Sequence, residues 1–351
     1  MKRYTIKGWL LLIATLIPYL CINHHSQAQD AVFSQYYNAS LYLNPALAGF
    51  DRNTSVQMNY RSQWNQLNFP YTTSQVSLIM PYYADKHAKP YGHIGGVGLS
   101  VYNDQAGNGN NFSTFGANLS FAYNLPLDTK QENQVSFGLQ AGVINKSLDT
   151  DDLQWGSQYD PFIGFGGGNA PEVLTGYENR TFLDLGAGLF YSYSPEDEMK
   201  AIRGVNFGVG VNHLNQPNES VIAGEERQLP VLSKVHGSVI FGLGERTNLS
   251  ANVLIANQNR ESQINTGAYV SYKLITDGQP SIGYLTTRFG VWHRLEDSFI
   301  FLTEFETRQL KVGLSYDWNS SSLRYNERGI GTYEIHLALR FGSIAAPKTR
   351  Y

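Results

Sequence analysis

Residues 332–342 read TYEIHLALRFG. Side chains on an extended chain change face at every residue. Tyr333, Ile335, Leu337, Leu339 and Phe341 therefore share one face, and Glu334, His336, Ala338 and Arg340 share the other. The same alternation runs through QVSFGLQAGVI at 134–144 and GVNFGVGVNHL at 204–214, with Gly, Asn, Gln and Ser opposite the apolar residues. Fourteen such segments follow one another, near 54–64, 72–80, 92–102, 112–124, 134–146, 181–193, 203–213, 231–243, 247–257, 263–274, 281–291, 297–306, 309–318 and 332–342. Soluble sandwiches alternate too, but their strands average about five or six residues. A strand of about ten matches a tilted crossing of a bilayer, and bacterial barrels have even strand numbers. Unpaired backbone groups are not tolerated in hydrocarbon, so the sheet has to close on itself. The expected fold is all-β: a transmembrane antiparallel β-barrel of about 14 strands over 51–342, followed by a C-terminal tail at 343–351.

The gaps between segments carry a second signal. With both barrel ends of the chain in the periplasm, the even-numbered gaps are periplasmic turns, and GER at 244–246, TDGQP at 276–280 and TRQ at 307–309 are tight. The odd-numbered gaps are then extracellular and include the long ones at 147–180, 214–230 and 319–331. This is the asymmetry of an outer-membrane barrel. The gap at 81–91 is longer than an inner turn requires. Many of the 23 tyrosines fall at segment ends, among them Tyr60, Tyr102, Tyr123, Tyr191, Tyr193, Tyr272, Tyr316 and Tyr333, where a ring with a polar tip suits the headgroup layer. A mean hydropathy of −0.30 suits strands that show lipid only one face.

The start of the chain supplies the address. MKRYTIK, then GWLLLIATLIPYLCI, then NHHSQAQD give the cationic, apolar and small-residue order of a signal peptide over 1–28, with Ser26 and Ala28 placed for cleavage before Gln29. Leu20 stands before Cys21 where a lipoprotein signal wants a small residue. Cleavage removes Lys2, Arg3 and Lys7 and no acid, taking the formal charge from −3 to −6. That mild acidity argues against a nucleic-acid partner. The expected location is the outer membrane, with its lipid as the first partner.

Chemistry is sparse. The last three strands turn Glu304, Glu306, Lys311, Asp317, Glu334, His336 and Arg340 inward, a set whose near balance of acids and bases reads as a lumen charge network. GFGGGN at 164–169 lacks the Lys and the following helix of a phosphate loop. DTDD at 149–152 lacks the pattern of a calcium loop. His213, His236 and His293 are scattered, and no spacing gives any of them a catalytic partner. No catalytic residue, metal site or cofactor is expected, and the protein is not expected to be an enzyme.

One stretch fits neither helix nor strand: FSQYYNASLYLNPALAGF at 33–50. Phe33, Ser34, Gln35 and Tyr36, then Leu41 to Ala46 with Leu43, Asn44 and Pro45, then Ala48 and Gly49, resemble the opening of the PorP/SprF family of the type IX secretion system. NYRSQW at 59–64, VYNDQAGNGN at 101–110, SFGLQAGVINKSLD at 136–149 and NHLNQPNES at 212–220 are similar to further family pieces. The resemblance implies a non-enzymatic outer-membrane component of type IX secretion, connected with gliding motility. It would pair with a secreted cargo or adhesin bearing a type IX C-terminal domain and support its export or its anchoring at the cell surface. It further implies periplasmic secretion-machine components as partners. The alternative is a porin-like channel for small solutes. Read from its residues, 29–50 starts in the periplasm, its amide side chains suit a polar lumen, and Asn44-Pro45 and Ala48-Gly49 mark turns. It is expected either to plug the barrel or to contact other proteins in the periplasm.

Overall fold

A computed structural model describes residues 30–64, 70–83, 93–107, 111–150, 156–165, 179–197, 200–274, 284–320 and 331–341. The signal peptide at 1–28, the C-terminal tail at 343–351, TDGQP at 276–280, and parts of DTDD and GFGGGN lie outside the described residues.

The chain forms β1 (Thr54–Gln63), β2 (Tyr71–Tyr83), β3 (His93–Ala106), β4 (Phe112–Pro126), β5 (Asn133–Leu148), a small hairpin β6 (Tyr159–Asp160) and β7 (Gly164–Phe165), then β8 (Arg180–Tyr193), β9 (Ile202–Asn212), β10 (Leu232–Gly242), β11 (Thr247–Gln258), β12 (Glu261–Leu274), β13 (Leu285–Arg294), β14 (Ser298–Thr307), β15 (Leu310–Asn319) and β16 (Thr332–Phe341). All but the small hairpin pair with their neighbours into one closed antiparallel barrel of 14 strands. Closure is made by β1 against β16, from Thr54 opposite Phe341 to Gln63 opposite Thr332.

Burial follows the alternation. On β16, Glu334, His336 and Ala338 are buried while Tyr333, Ile335 and Phe341 are exposed on the outer face. A lipid-facing surface needs that outer apolar band. Two expectations change. The eleventh segment, placed at 281–291, runs instead from Leu285 to Arg294 as β13. Its register is set by the tight turn Leu295–Asp297, where Glu296 takes a left-handed φ of 62° and Arg294 faces Ser298. Tyr102 is not an outer-belt residue: it is buried inside the barrel with its ring 5.6 Å from that of Tyr42.

The barrel has a turn-rich end, where β1 begins and β16 finishes, and an opposite end bearing the long connections 149–179 and 213–231. Residues 30–53 occupy the interior between them. They make a 3-10 turn at Tyr36–Asn38, a single helical turn at Ser40–Leu43 and a second 3-10 turn at Pro45–Leu47. Asn44 starts the last of these, its Oδ1 accepting from Ala46 N at 2.9 Å. Short helical turns close their backbone hydrogen bonds locally, as a segment with no strand neighbour must.

Candidate functional site

The site is the filled lumen. At the loop-rich end, Asp30 Oδ2 lies 2.6 Å from His213 Nε2, and His213 Nδ1 lies 2.8 Å from Asp184 Oδ1. Burial alone would lower the His213 imidazole, but the Asp30 and Asp184 carboxylates push it up to about 9. Burial would raise the Asp30 carboxyl, but His213 beside it holds it well below the usual carboxylate range. The same end is tied by Asp30 N donating to Gln258 Oε1 at 3.1 Å and by Tyr42 Oη donating to Ala31 O at 2.7 Å.

Next inward come the family-motif residues. Phe33 packs edge-on against Tyr42 at 5.4 Å. Ser34 N and Gln35 N donate to the Glu334 carboxylate at 2.6 and 2.9 Å. Ser34 Oγ donates to Asp317 Oδ2 at 2.5 Å and accepts from Arg294 at 3.0 Å. Gln35 Nε2 donates to Ser315 Oγ at 3.1 Å. Asn38 bridges opposite charges, donating to Glu304 at 3.1 Å and accepting from Lys311 at 2.7 Å. Tyr36 and Tyr37 join an apolar cluster with the inward-facing Leu254, Tyr269, Trp292, Ile300 and Leu302, the Tyr37 ring stacking on Trp292 at 5.9 Å.

The second half of the segment rests on glycine. Leu41 fills the space over Gly98, where a Cβ would come within 2.5 Å of Leu41 Cδ1. Leu43 O sits over Gly210, where a Cβ would come within 2.7 Å of it, and a Cβ on Gly138 would run into Ala46 N. Asn44 Nδ2 donates to the strand carbonyl of Leu189 at 3.0 Å. Phe50 meets Phe190 edge-on at 4.8 Å. Gly49, at φ 72°, lies against the backbone of Gly96, where a Cβ would come within 2.5 Å of Gly49 Cα. Backbones approach this closely only where no side chain intervenes.

Of the charges expected in the lumen, six fall into two groups. In one, Glu304 and Glu306 both pair with Arg288, Glu304 also with Lys311 at 3.3 Å, and Glu306 with Arg340 at 2.7 Å. In the other, Asp317 pairs with Arg294 at 3.3 Å and Arg61 at 3.5 Å, and Arg61 reaches Glu334 at 3.8 Å. His336 stands apart from both, its Nδ1 2.8 Å from Asn59 Oδ1. Sequence reasoning missed the matching cations Arg61, Arg288 and Arg294. Strand parity held the signal, because Arg288 and Arg294 share a face and Arg61 shares one with Asn59. It also missed the Asp30–His213–Asp184 chain, which joins residues far apart in sequence. Among the described residues, no three His, Cys, Asp or Glu side chains group as metal ligands.

Beside the segment, an open vestibule of about 410 Å³ faces the turn-rich end, bordered by Asn38, Ser40, Leu47, Phe50 and, on the wall, Arg203 and Lys273.

The sequence model of the family described as "Type IX secretion system membrane protein PorP/SprF" matches residues 25–339. No curated protein matches the chain. Among solved structures, the Ralstonia pickettii toluene transporter TbuX is similar at a TM-score of 0.46 and 11% identity, over 87% of this chain and 94% of that one. The P. putida toluene transporter TodX gives 0.44 and 9%, over 88% and 95%. BamA from Haemophilus ducreyi gives 0.41 and 8%, over 83% and 71%. At these scores the likeness says nothing of what this chain does.

Proposed function

We propose, from the premise that the chain belongs to the PorP/SprF family of type IX secretion membrane proteins, that it is a non-enzymatic outer-membrane partner of one secreted protein. It supports the export or surface anchoring of a cargo bearing a type IX C-terminal domain, and its own lumen is closed by residues 30–50. The turn-rich end faces the periplasm and the loop-rich end faces outward. The observation that carries this reading is the burial of Phe33 to Phe50 inside the barrel, where an open porin would hold water. Loops held by a rigid scaffold commonly carry recognition. The β6–β7 hairpin offers such a surface, with Phe162 94% and Ile163 73% exposed at its tip. An exposed apolar tip of this kind suits contact with protein.

Two measurements test the reading. The tagged protein is purified gently from native outer membranes, and its companions are identified by mass spectrometry. A large secreted protein with a type IX C-terminal domain is expected, and the hairpin variant Phe162→Ser is expected to recover less of it. Planar-bilayer conductance is then compared with and without residues 30–50. A large steady conductance in the intact chain, with no companion protein, would replace this reading with a small-solute porin.

A further inference from the structure

Residues 34–38 are held as a ligand is held. None of them belongs to the barrel ladder. Their grip on the wall is made by side chains: the Glu334 carboxylate takes two successive backbone N–H groups, Asp317 and Arg294 take the Ser34 hydroxyl, Ser315 takes the Gln35 amide, and Glu304 with Lys311 takes both ends of the Asn38 amide. Gly313 leaves the room for Gln35, since a Cβ there would run into Gln35 Oε1. Around Ser34 and Gln35 the wall balances Arg61 and Arg294 against Asp317 and Glu334. A charged peptide would upset that balance in a buried place, whereas an uncharged one does not. The segment is tethered to β1 at the turn-rich end, and the vestibule beside Asn38 and Phe50 opens at that same end. Withdrawal therefore has one direction, and a replacement has the same entrance.

We propose that this cradle is a peptide-binding site which the chain fills with its own Ser34–Asn38. After withdrawal it receives, from the turn-rich end, an uncharged segment of a second polypeptide with the order Ser-Gln-aromatic-aromatic-Asn, folded into the same 3-10 turn. The inference rests on residues 30–50 being a plug, and it adds that the plug stands where a partner's peptide goes.

The test uses the full chain with a protease site inserted between Arg52 and Asn53. The protein is reconstituted, cut and offered a fluorescein-labelled peptide spanning 30–50. Conductance is expected to rise as the cut segment leaves and to fall again when the labelled peptide binds. The peptide with Gln35→Ala is expected to bind about tenfold more weakly, as one unpaired buried group implies. Conductance that rises on cutting while the peptide neither binds nor recloses the barrel would overturn the binding site and leave the plug standing. Equal binding of the Gln35→Ala peptide would overturn it as non-specific adhesion. A cut segment that never exchanges would also overturn it, because a site for a partner must be vacated. The same conductance with and without residues 30–50 would instead sink the plug reading itself.

Discussion

The two halves of the lumen segment are held by opposite means. In residues 33–38, Ser34, Gln35 and Asn38 meet charge: directed hydrogen bonds to Glu334, Asp317, Arg294, Glu304 and Lys311. Residues 41–50 meet mainly shape, with the Leu41 side chain lying on Gly98 and backbone atoms on Gly138, Gly210 and Gly96. The charged grip is directional, and a competing donor can replace it group by group. The glycine seat has nothing to replace, and only added bulk excludes the segment from it. A plug built this way is specific at one half and well fitted at the other.

The sharpest way to break the contrast is at the charges. Arg288→Met leaves Glu304 and Glu306 facing each other with Lys311 and Arg340 only, and should cost about 3–5 kcal/mol, the usual cost of breaking a buried pair. Thermal unfolding of the folded barrel in detergent reads this out. Gly138→Val should come next, at about 1–3 kcal/mol for overpacking. Because a Cβ there runs into Ala46 N, it should also unseat the segment and raise conductance. If Gly138→Val closed as tightly as the parent, shape would not be what holds the lower half. A smaller effect belongs to the latch at the loop-rich end. The His213 pKa is raised, so its contribution is complete below the ordinary value of 6.5 and is lost as pH rises through about 9. The Asp30 pKa is depressed, so its contribution is present above the ordinary value of 3.8 and fails only in acid. Opening events in planar bilayers should thus stay flat between pH 5 and 6.5, become more frequent as pH rises from there, and level off above about pH 9. Asp30→Asn takes the carboxylate out of that latch, so its opening events at pH 7 should already be close to the parent's alkaline level, with little further rise above it.

The barrel was legible because lipid on one side and polar filling on the other impose a strict period of two. All fourteen long segments read from alternation coincide with strands, and the largest displacement is at β13, where a three-residue turn decides the register. The filling was harder to read. The carboxylates of β14 to β16 announced themselves by parity, yet their partners Arg61, Arg288 and Arg294 needed the ring closed before strands 1 and 13 came near them. Tyr102 looked like a belt residue because position along a strand says nothing about face unless parity is also counted. Histidines 213 and 236 looked unrelated to anything, since Asp30 beside the one and Asn44 beside the other lie nearly 200 positions earlier, and Asp184 meets His213 only across neighbouring strands. Folds made by local periodicity can be read from a sequence, whereas sites made by long-range closure need the topology first.

One consequence of that closure concerns time. Ser34 and Gln35 leave the ribosome among the first ordered residues, while Glu334, which takes their amides, lies about 300 positions later on the strand that pairs with β1. Contacts of such separation form late in folding. The sealing bond and the last ladder therefore depend on the same strand, and a half-inserted intermediate lacking β16 has both an open seam and an unanchored N-terminal segment. Membrane leakage during biogenesis ends when the final strand docks, so barrel completion and lumen sealing are one event.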